Sequence, residues 1–144
     1  MNEERKQDDG YNMTEWSKEF LDFYWEKKCD KGAVVDTLNM YVNGRRFLEH
    51  LDDMKNKLGD WNVGYGMYFS EDFSDPNDEE YFGENKILFF SGPDYDIYED
   101  IIGYEEFYKY LVPACEFYLE RRHPEHKEIV EQKLKEIREA YGLE

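Results

Sequence analysis

The stretch KILFFSGPDYDIYEDI, Lys86 to Ile101, decides the fold class. Lys86 to Ser91 is a short apolar run, bounded by Asn85 on one side and Gly92-Pro93 on the other. Tyr95 to Ile101 alternates instead: Tyr95, Ile97, Glu99 and Ile101 fall on one face, with Asp96, Tyr98 and Asp100 opposite. Runs this short, rich in aromatic and β-branched residues and cut by turn formers, predict strands. About four residues near GPDY join the two, too few for a crossover, so the strands pair antiparallel. Upstream, VGYGMYFS (63–70) keeps the two-residue period, with Val63, Tyr65, Met67 and Phe69 on one side and two glycines, Tyr68 and Ser70 on the other. Three strands are expected.

On either side of this window the period lengthens to that of a helix. Thr14 can cap a helix carrying Trp16, Phe20, Phe23 and Tyr24, and CDKG (29–32) interrupts it. A second helical stretch, roughly Ala33 to Leu58, has its apolar stripe in two parts, Val34–Val42 and Phe47–Leu58. A break is expected between them at Asn43-Gly44, and Gly59 is a stop. Beyond the strands, Tyr104, Phe107, Leu111, Cys115 and Tyr118 share one stripe, within which Pro113 predicts a kink because it removes a backbone donor. HPEHKE (123–128) starts a last helix, with Pro124 at its first position and Glu125 and Glu128 where carboxylates suit the dipole. A chain of 144 residues can bury a real core. The expected architecture is α+β: a small antiparallel sheet of about three strands packed with N-terminal helices and two C-terminal helices. Residues 1–12 are expected to form a flexible tail and 13–144 a single domain.

The connection between the first two strands is the unusual part. Ser70 to Asn85, SEDFSDPNDEEYFGEN, holds seven carboxylates and no base. From Glu71 to Glu106 there are thirteen acids against Lys86 alone, a net −12 in 36 residues, whereas the other 108 residues carry only −5 of the total −17. Solubility does not require such concentration. The sign excludes nucleic acid and anionic membranes as partners, since both are bound by Lys and Arg. A connection of about 15 residues also exceeds ordinary hairpin loops and is of the length that carries function. Aromatics are interleaved with the acids: Phe73, Tyr81, Phe82, Tyr95 and Tyr98. Phe82 and Tyr95 are expected to serve the core; anchors ringed by charge describe a protein-binding surface. The candidate contact residues are Glu71, Asp72, Asp75, Asp78, Glu79 and Glu80 in the loop, with Asp94, Asp96, Glu99 and Asp100 on or beside the third strand. Tyr81, Tyr95 and Tyr98 are the candidate apolar anchors.

The residues that catalysis needs do not assemble into a motif. His50 sits on an expected helix, His123 and His126 at a helix start, all in polar sequence. Cys29 and Cys115 form no C-x-x-C pair, which points to reduced thiols, and Cys115 on an apolar stripe reads as a small core residue. There is no G-x-S-x-G, phosphate-binding glycine loop or H-E-x-x-H. Asp75, Asn77 and Glu79 alternate as in an EF-hand loop, but Glu80 replaces the glycine and Lys86 the final glutamate. An irregular calcium site, hence a calcium-responsive or adaptor module, stays as an alternative, beside a nucleic-acid mimic that blocks a DNA-binding protein. No enzyme, cofactor or bound metal is expected. MNEERKQDDG lacks the apolar core of a signal peptide, and no apolar run approaches a membrane span, so a cytoplasmic location is expected.

EEYFGENKILFFSG (79–92) and YEEFYKYLVPACEFYLERRHPEHKEIVEQKLKEI (104–137) together resemble the immunity proteins of bacterial contact-dependent growth inhibition, in particular the ribonuclease-toxin group. The matching features are the YFGE approach to an aromatic strand, the YEEFYKYL helix start, and the cysteine-to-ERRHP junction leading into a charged last helix. The resemblance covers about residues 60–140, and the proline of LVPAC departs from it. It implies a cytoplasmic antidote that binds the basic nuclease domain of its cognate toxin and occludes its active site; a monomer binding one to one is the expectation, with the oligomeric state left open by the sequence.

Overall fold

Helix α1 (Met13–Glu26) is followed by α2 (Gly32–Val42) and α3 (Phe47–Lys55), then by a four-stranded sheet and two further helices, α4 (Tyr104–Arg121) and α5 (Lys127–Ala140). This computed structural model describes residues 13–27, 31–72, 75, 77–79, 81–93 and 96–143. The expected tail, the side chains of Thr14 and Trp16, and Cys29, Phe73, Glu80, Asp94 and Tyr95 lie outside the described residues.

The strands are β1 (Asp60–Asn62), β2 (Tyr65–Phe69), β3 (Lys86–Ser91) and β4 (Tyr98–Gly103), in that spatial order and antiparallel throughout. The α+β class holds, with four strands rather than about three. The added strand, β1, is only three residues long, and Val63, expected to begin a strand, lies instead in the two-residue turn that joins β1 to β2. Gly64 makes that turn possible with φ +95, a conformation glycine reaches without steric cost. The final strand runs Tyr98–Gly103 rather than 95–101.

Alternation along each strand gives the sheet two unlike faces. Met67 and Phe69, Ile87 and Phe89, and Ile102 point inward and are buried. Helix α2 lies across β2, β3 and β4 on that side, and α4 packs beside it. The long stretch 33–58 does break at Asn43–Arg46, as the Asn43-Gly44 signal requires, so α2 covers the sheet while α3 turns away to pack on α5. Rings fill the layer between helices: Phe20 stacks on Tyr24 at 4.4 Å and meets Phe117 edge-on at 5.1 Å. Each fully buried ring or branched chain contributes about 1.5–3 kcal/mol of transfer free energy. Helix α4 runs continuously through Pro113, leaving the Lys109 carbonyl without its usual i+4 donor. A 3₁₀ turn, Pro124–His126, then leads into α5. Among the described residues no helix is long and apolar enough to cross a membrane.

Candidate protein-binding surface

The acidic loop is tied down at its two ends by one side chain. Ser70 Oγ donates to the Lys86 carbonyl at 2.9 Å and accepts from Lys86 N–H at 3.0 Å, closing the residues between into an excursion from the β2–β3 pair. The first carboxylates after β2 also serve the fold. Asp72, in the short 3₁₀ turn Ser70–Asp72, accepts from Phe69 N–H at 2.7 Å and from Gly59 N–H at 3.3 Å. Glu71 accepts the Tyr104 hydroxyl at 2.9 Å and has Lys57 Nζ at 3.8 Å. Burial, then the bond to Glu71, raises the Tyr104 hydroxyl pKa well above its ordinary value, so the phenol stays the donor.

Farther out, the loop is held locally and its acids face solvent. Asp75 Oδ1 accepts Asn77 N–H at 2.9 Å, and its carbonyl accepts Asp78 N–H at 3.0 Å. Tyr81 N–H in turn reaches the Asp78 carbonyl at 3.0 Å. Asp75, Asp78 and Glu79 are exposed, while Tyr81 and Phe82 are half-buried. Phe82 is therefore outside the core in which sequence reading placed it.

The acids of the third expected strand divide between the two faces. Glu99 lies on the outer face and Asp96 in the turn before β4, both exposed. Asp100 points inward, where its Oδ2 accepts Ala33 N–H at 2.8 Å. Ala33 is the second residue of α2, whose N-cap Lys31 offers no side-chain cap. Asp100 thus supplies from the sheet the acceptor that the helix start lacks. The hydroxyl of Tyr110 takes the neighbouring Lys31 N–H at 3.0 Å. Tyr98 lies at the inner face's margin, 62% exposed.

The outer face of the sheet carries no helix among the described residues and is apolar, where an open antiparallel sheet usually shows polar side chains to water. Trp61 on β1, Tyr68 on β2 and Phe90 on β3 form a ladder, with ring centroids 4.7 Å apart for the first pair and 5.9 Å for the second. Gly66 lies in the cross-strand row between Trp61 and Phe90, where a Cβ would sit 2.6 Å from the Trp61 backbone and 2.8 Å from the Phe90 ring. Only glycine lets these rings close over the strand. Leu88, Ile97 and Ile101 extend the apolar floor, and Trp61, Ile97 and Ile101 are 53%, 46% and 48% exposed. Tyr81 and Phe82 from the acidic loop wall an open concavity of about 910 Å³ over this floor, with Asp72, Glu79 and Glu99 at its edge. The structure thus brings the acidic loop and β4 to one side of the sheet. Among the acids and tyrosines singled out from sequence, Asp72, Glu79, Tyr81 and Glu99 line this concavity. Trp61, Tyr68, Leu88, Phe90, Ile97 and Ile101 had not been singled out. The available signal was Ile97 and Ile101 sharing a strand face opposite Asp100.

Among the described residues, two groups bring His and carboxylate ligand atoms within metal-binding reach: His50, Asp53 and Asp60, and His123, Glu125 and His126. In the first, the His50 ring stacks on Tyr41 at 3.9 Å, and Nδ1 lies 2.8 Å from Asp60 Oδ2, off the line of a good hydrogen bond. Burial lowers the His50 pKa, and burial plus Asp60 raises that of Asp53. The loop acids considered for calcium belong to neither group. Cys115 is buried in the core, and burial pushes its thiol pKa up, away from nucleophile chemistry.

No curated protein matches the chain. The family model CdiI_4, CDI immunity protein, matches residues 31–134, a span from the start of α2 into α5 that includes the whole sheet and the acidic loop. The chain belongs to this family, the immunity proteins of contact-dependent growth inhibition, whose role is to neutralise a toxin.

Proposed function

We propose that this protein neutralises a ribonuclease toxin domain in the cytoplasm, binding it one to one and laying an acidic surface over its basic active site, with no catalysis of its own. The observation that carries the reading is charge asymmetry: thirteen carboxylates against one lysine over residues 71–106, with Asp75, Asp78, Glu79, Asp96 and Glu99 exposed. A ribonuclease holds phosphates with Lys, Arg and His, and a carboxylate array occupies such a groove as a phosphate surrogate. Opposed fields raise association to about 10⁸–10⁹ M⁻¹s⁻¹ at low salt, which suits an antidote that must act before RNA is cut. Exposed ion pairs add only about 0–1 kcal/mol each, so the acidic loop governs rate and choice of partner more than lifetime.

The test looks in the reading frame immediately upstream for a large secreted protein and uses its C-terminal domain. The triple variant Asp75→Lys, Asp78→Lys, Glu79→Lys should associate at least about tenfold more slowly at low salt. Its melting temperature should stay unchanged or rise, since like-charge repulsion is relieved. A variant that associates and protects RNA as well as the wild type would remove the loop from the interface. Equal wild-type rates in dilute buffer and in molar NaCl would dismiss the electrostatic mechanism.

A further inference from the structure

Deepening the proposed toxin-binding role, on which it rests, we infer that the open outer face of the sheet is the centre of the interface, and that it receives a basic toxin segment presenting an arginine over the Trp61–Tyr68–Phe90 ladder. Carboxylates alone do not make a long-lived complex, because exposed charges stay hydrated. Affinity resides in a few aromatic or arginine anchors that become fully desolvated, and this face is where the molecule offers them.

Three features choose the occupant. First, the face is apolar and half exposed, with Trp61, Ile97 and Ile101 between 46% and 53% accessible. A patch of this kind with a polar edge marks a contact site. Second, its rim is anionic: Asp72, Glu79 and Glu99 line the concavity. The one base between Lys57 and Lys109 is Lys86, at the opposite end of β3 from Phe90, about 13 Å away along the strand. An acidic or neutral apolar partner would leave Glu79 and Glu99 desolvated with no counter-charge. Third, the rings stack 25–27° from parallel with Tyr68 between the other two, so the open π face is the outer face of Trp61, 53% exposed on the edge strand. A guanidinium is the cation that both stacks on such a surface and forms paired hydrogen bonds to a carboxylate at its edge. Loop acids thus steer the toxin in, and the ladder holds it.

The experiment measures binding of the full chain to the adjacent-gene toxin domain for wild type, Trp61→Ala, Ile101→Ala and the loop triple variant, with melting curves for each. Trp61→Ala should weaken binding about 30-fold, the conversion of a 2 kcal/mol hot spot, almost all of it in dissociation rate. Ile101→Ala, which leaves the ring ladder whole, should weaken it by a smaller factor. In the wild type, amides of residues 60–69 and 97–102 should gain hydrogen-exchange protection on binding, a readout that needs no variant to fold. If Trp61→Ala is folded and dissociates like the wild type, or those amides gain no protection, the inference is overturned; slowing by the loop variant alone would leave the proposed electrostatic function standing. Two other occupants would overturn it as well. One is a second copy, seen as a dimer that Trp61→Ala splits. The other is residues 1–12, seen as loss of protection over 60–69 in the free protein when they are deleted.

Discussion

Replacing Asp100 by alanine separates carboxylates that hold the fold from those proposed to face the toxin. Asp100 belongs to the acid-rich segment and was grouped by sequence with Asp96 and Glu99, yet its Oδ2 accepts Ala33 N–H at 2.8 Å in the first turn of α2. Losing a side-chain acceptor at a helix start costs about 0.5–2 kcal/mol, and losing a carboxylate beside the dipole about 0.3–1. The two overlap, so about 1–2 kcal/mol is the expected loss. At about 2.1 cal/mol/K of unfolding entropy per residue, 144 residues give about 0.3 kcal/mol/K, which converts the loss into a melting temperature about 3–7 °C lower. The sign is what makes the test sharp. Removing one negative charge from a chain of net charge −17 should by itself relieve repulsion and stabilise it. Asp96→Ala and Glu99→Ala, exposed on the same segment, are therefore the controls and should melt unchanged or slightly higher. The assay is thermal unfolding by far-ultraviolet circular dichroism, followed by association kinetics with the toxin domain. Asp100→Ala should associate within about twofold of wild type, the residual being its share of the long-range field. A variant that melts at or above the wild-type temperature and associates markedly more slowly would refute the assignment.

Arg122→Ala should cost about 2–4 kcal/mol in urea unfolding. The guanidinium, with its side chain only 6% exposed, donates to buried Asn43 at 2.9 Å and to Glu19 at 3.1 Å while lying over Phe117. In a Cys29→Ser background, Cys115 should resist a thiol reagent in native buffer and react fully in urea, because burial both shields the sulfur and raises its pKa. His50 has its pKa lowered mainly by burial and further by Arg46, with Asp60, Asp53 and Glu49 opposing. The native imidazole thus stays neutral where the unfolded chain, at an ordinary value of 6.5, takes a proton. Its contribution is full above about pH 6.5 and is lost as pH falls. The stability advantage of wild type over His50→Gln should therefore shrink between pH 7 and pH 5 in paired urea titrations.

Local signals were legible where chain neighbours make them. The change of period at residues 63–101, the break at Asn43-Gly44 and the restart at Pro124 each depend on a few adjacent residues, and each is present in the fold. β1 was missed because Asp60-Trp61-Asn62 is too short to show alternation, and its identity as a strand comes from pairing with Gly66 and its neighbours. Alternation in β4 correctly separated Glu99 and Ile101 from Tyr98 and Asp100, but period alone does not say which set meets the helices. Composition would have turned the isoleucines inward. The structure turns Asp100 inward because α2 begins over it and needs an acceptor, a requirement written 67 residues away. The aromatic ladder was invisible for the same reason, since Trp61, Tyr68 and Phe90 belong to three strands and meet only through the sheet.

The distribution of these bonds also explains how a folded domain tolerates thirteen acids in 36 residues. Three of the carboxylates at or beside the sheet are matched to donors: Asp72 to the backbone of Phe69 and Gly59, Glu71 to Tyr104 and Lys57, Asp100 to the first turn of α2. Such charge-assisted bonds offset part of the repulsion among the acids. Asp78, Glu79, Asp96 and Glu99 are exposed, and among them Glu79 and Glu99 line the concavity over the aromatic face. Those two stand on the same side of the sheet as its exposed tryptophan and isoleucines, and any exposed acid adds to the long-range field, so each increment of repulsion that lowers stability also strengthens attraction of a cation. Stability and association rate are therefore expected to move in opposite directions across single neutralisations of these four residues, and in the same direction for none of them.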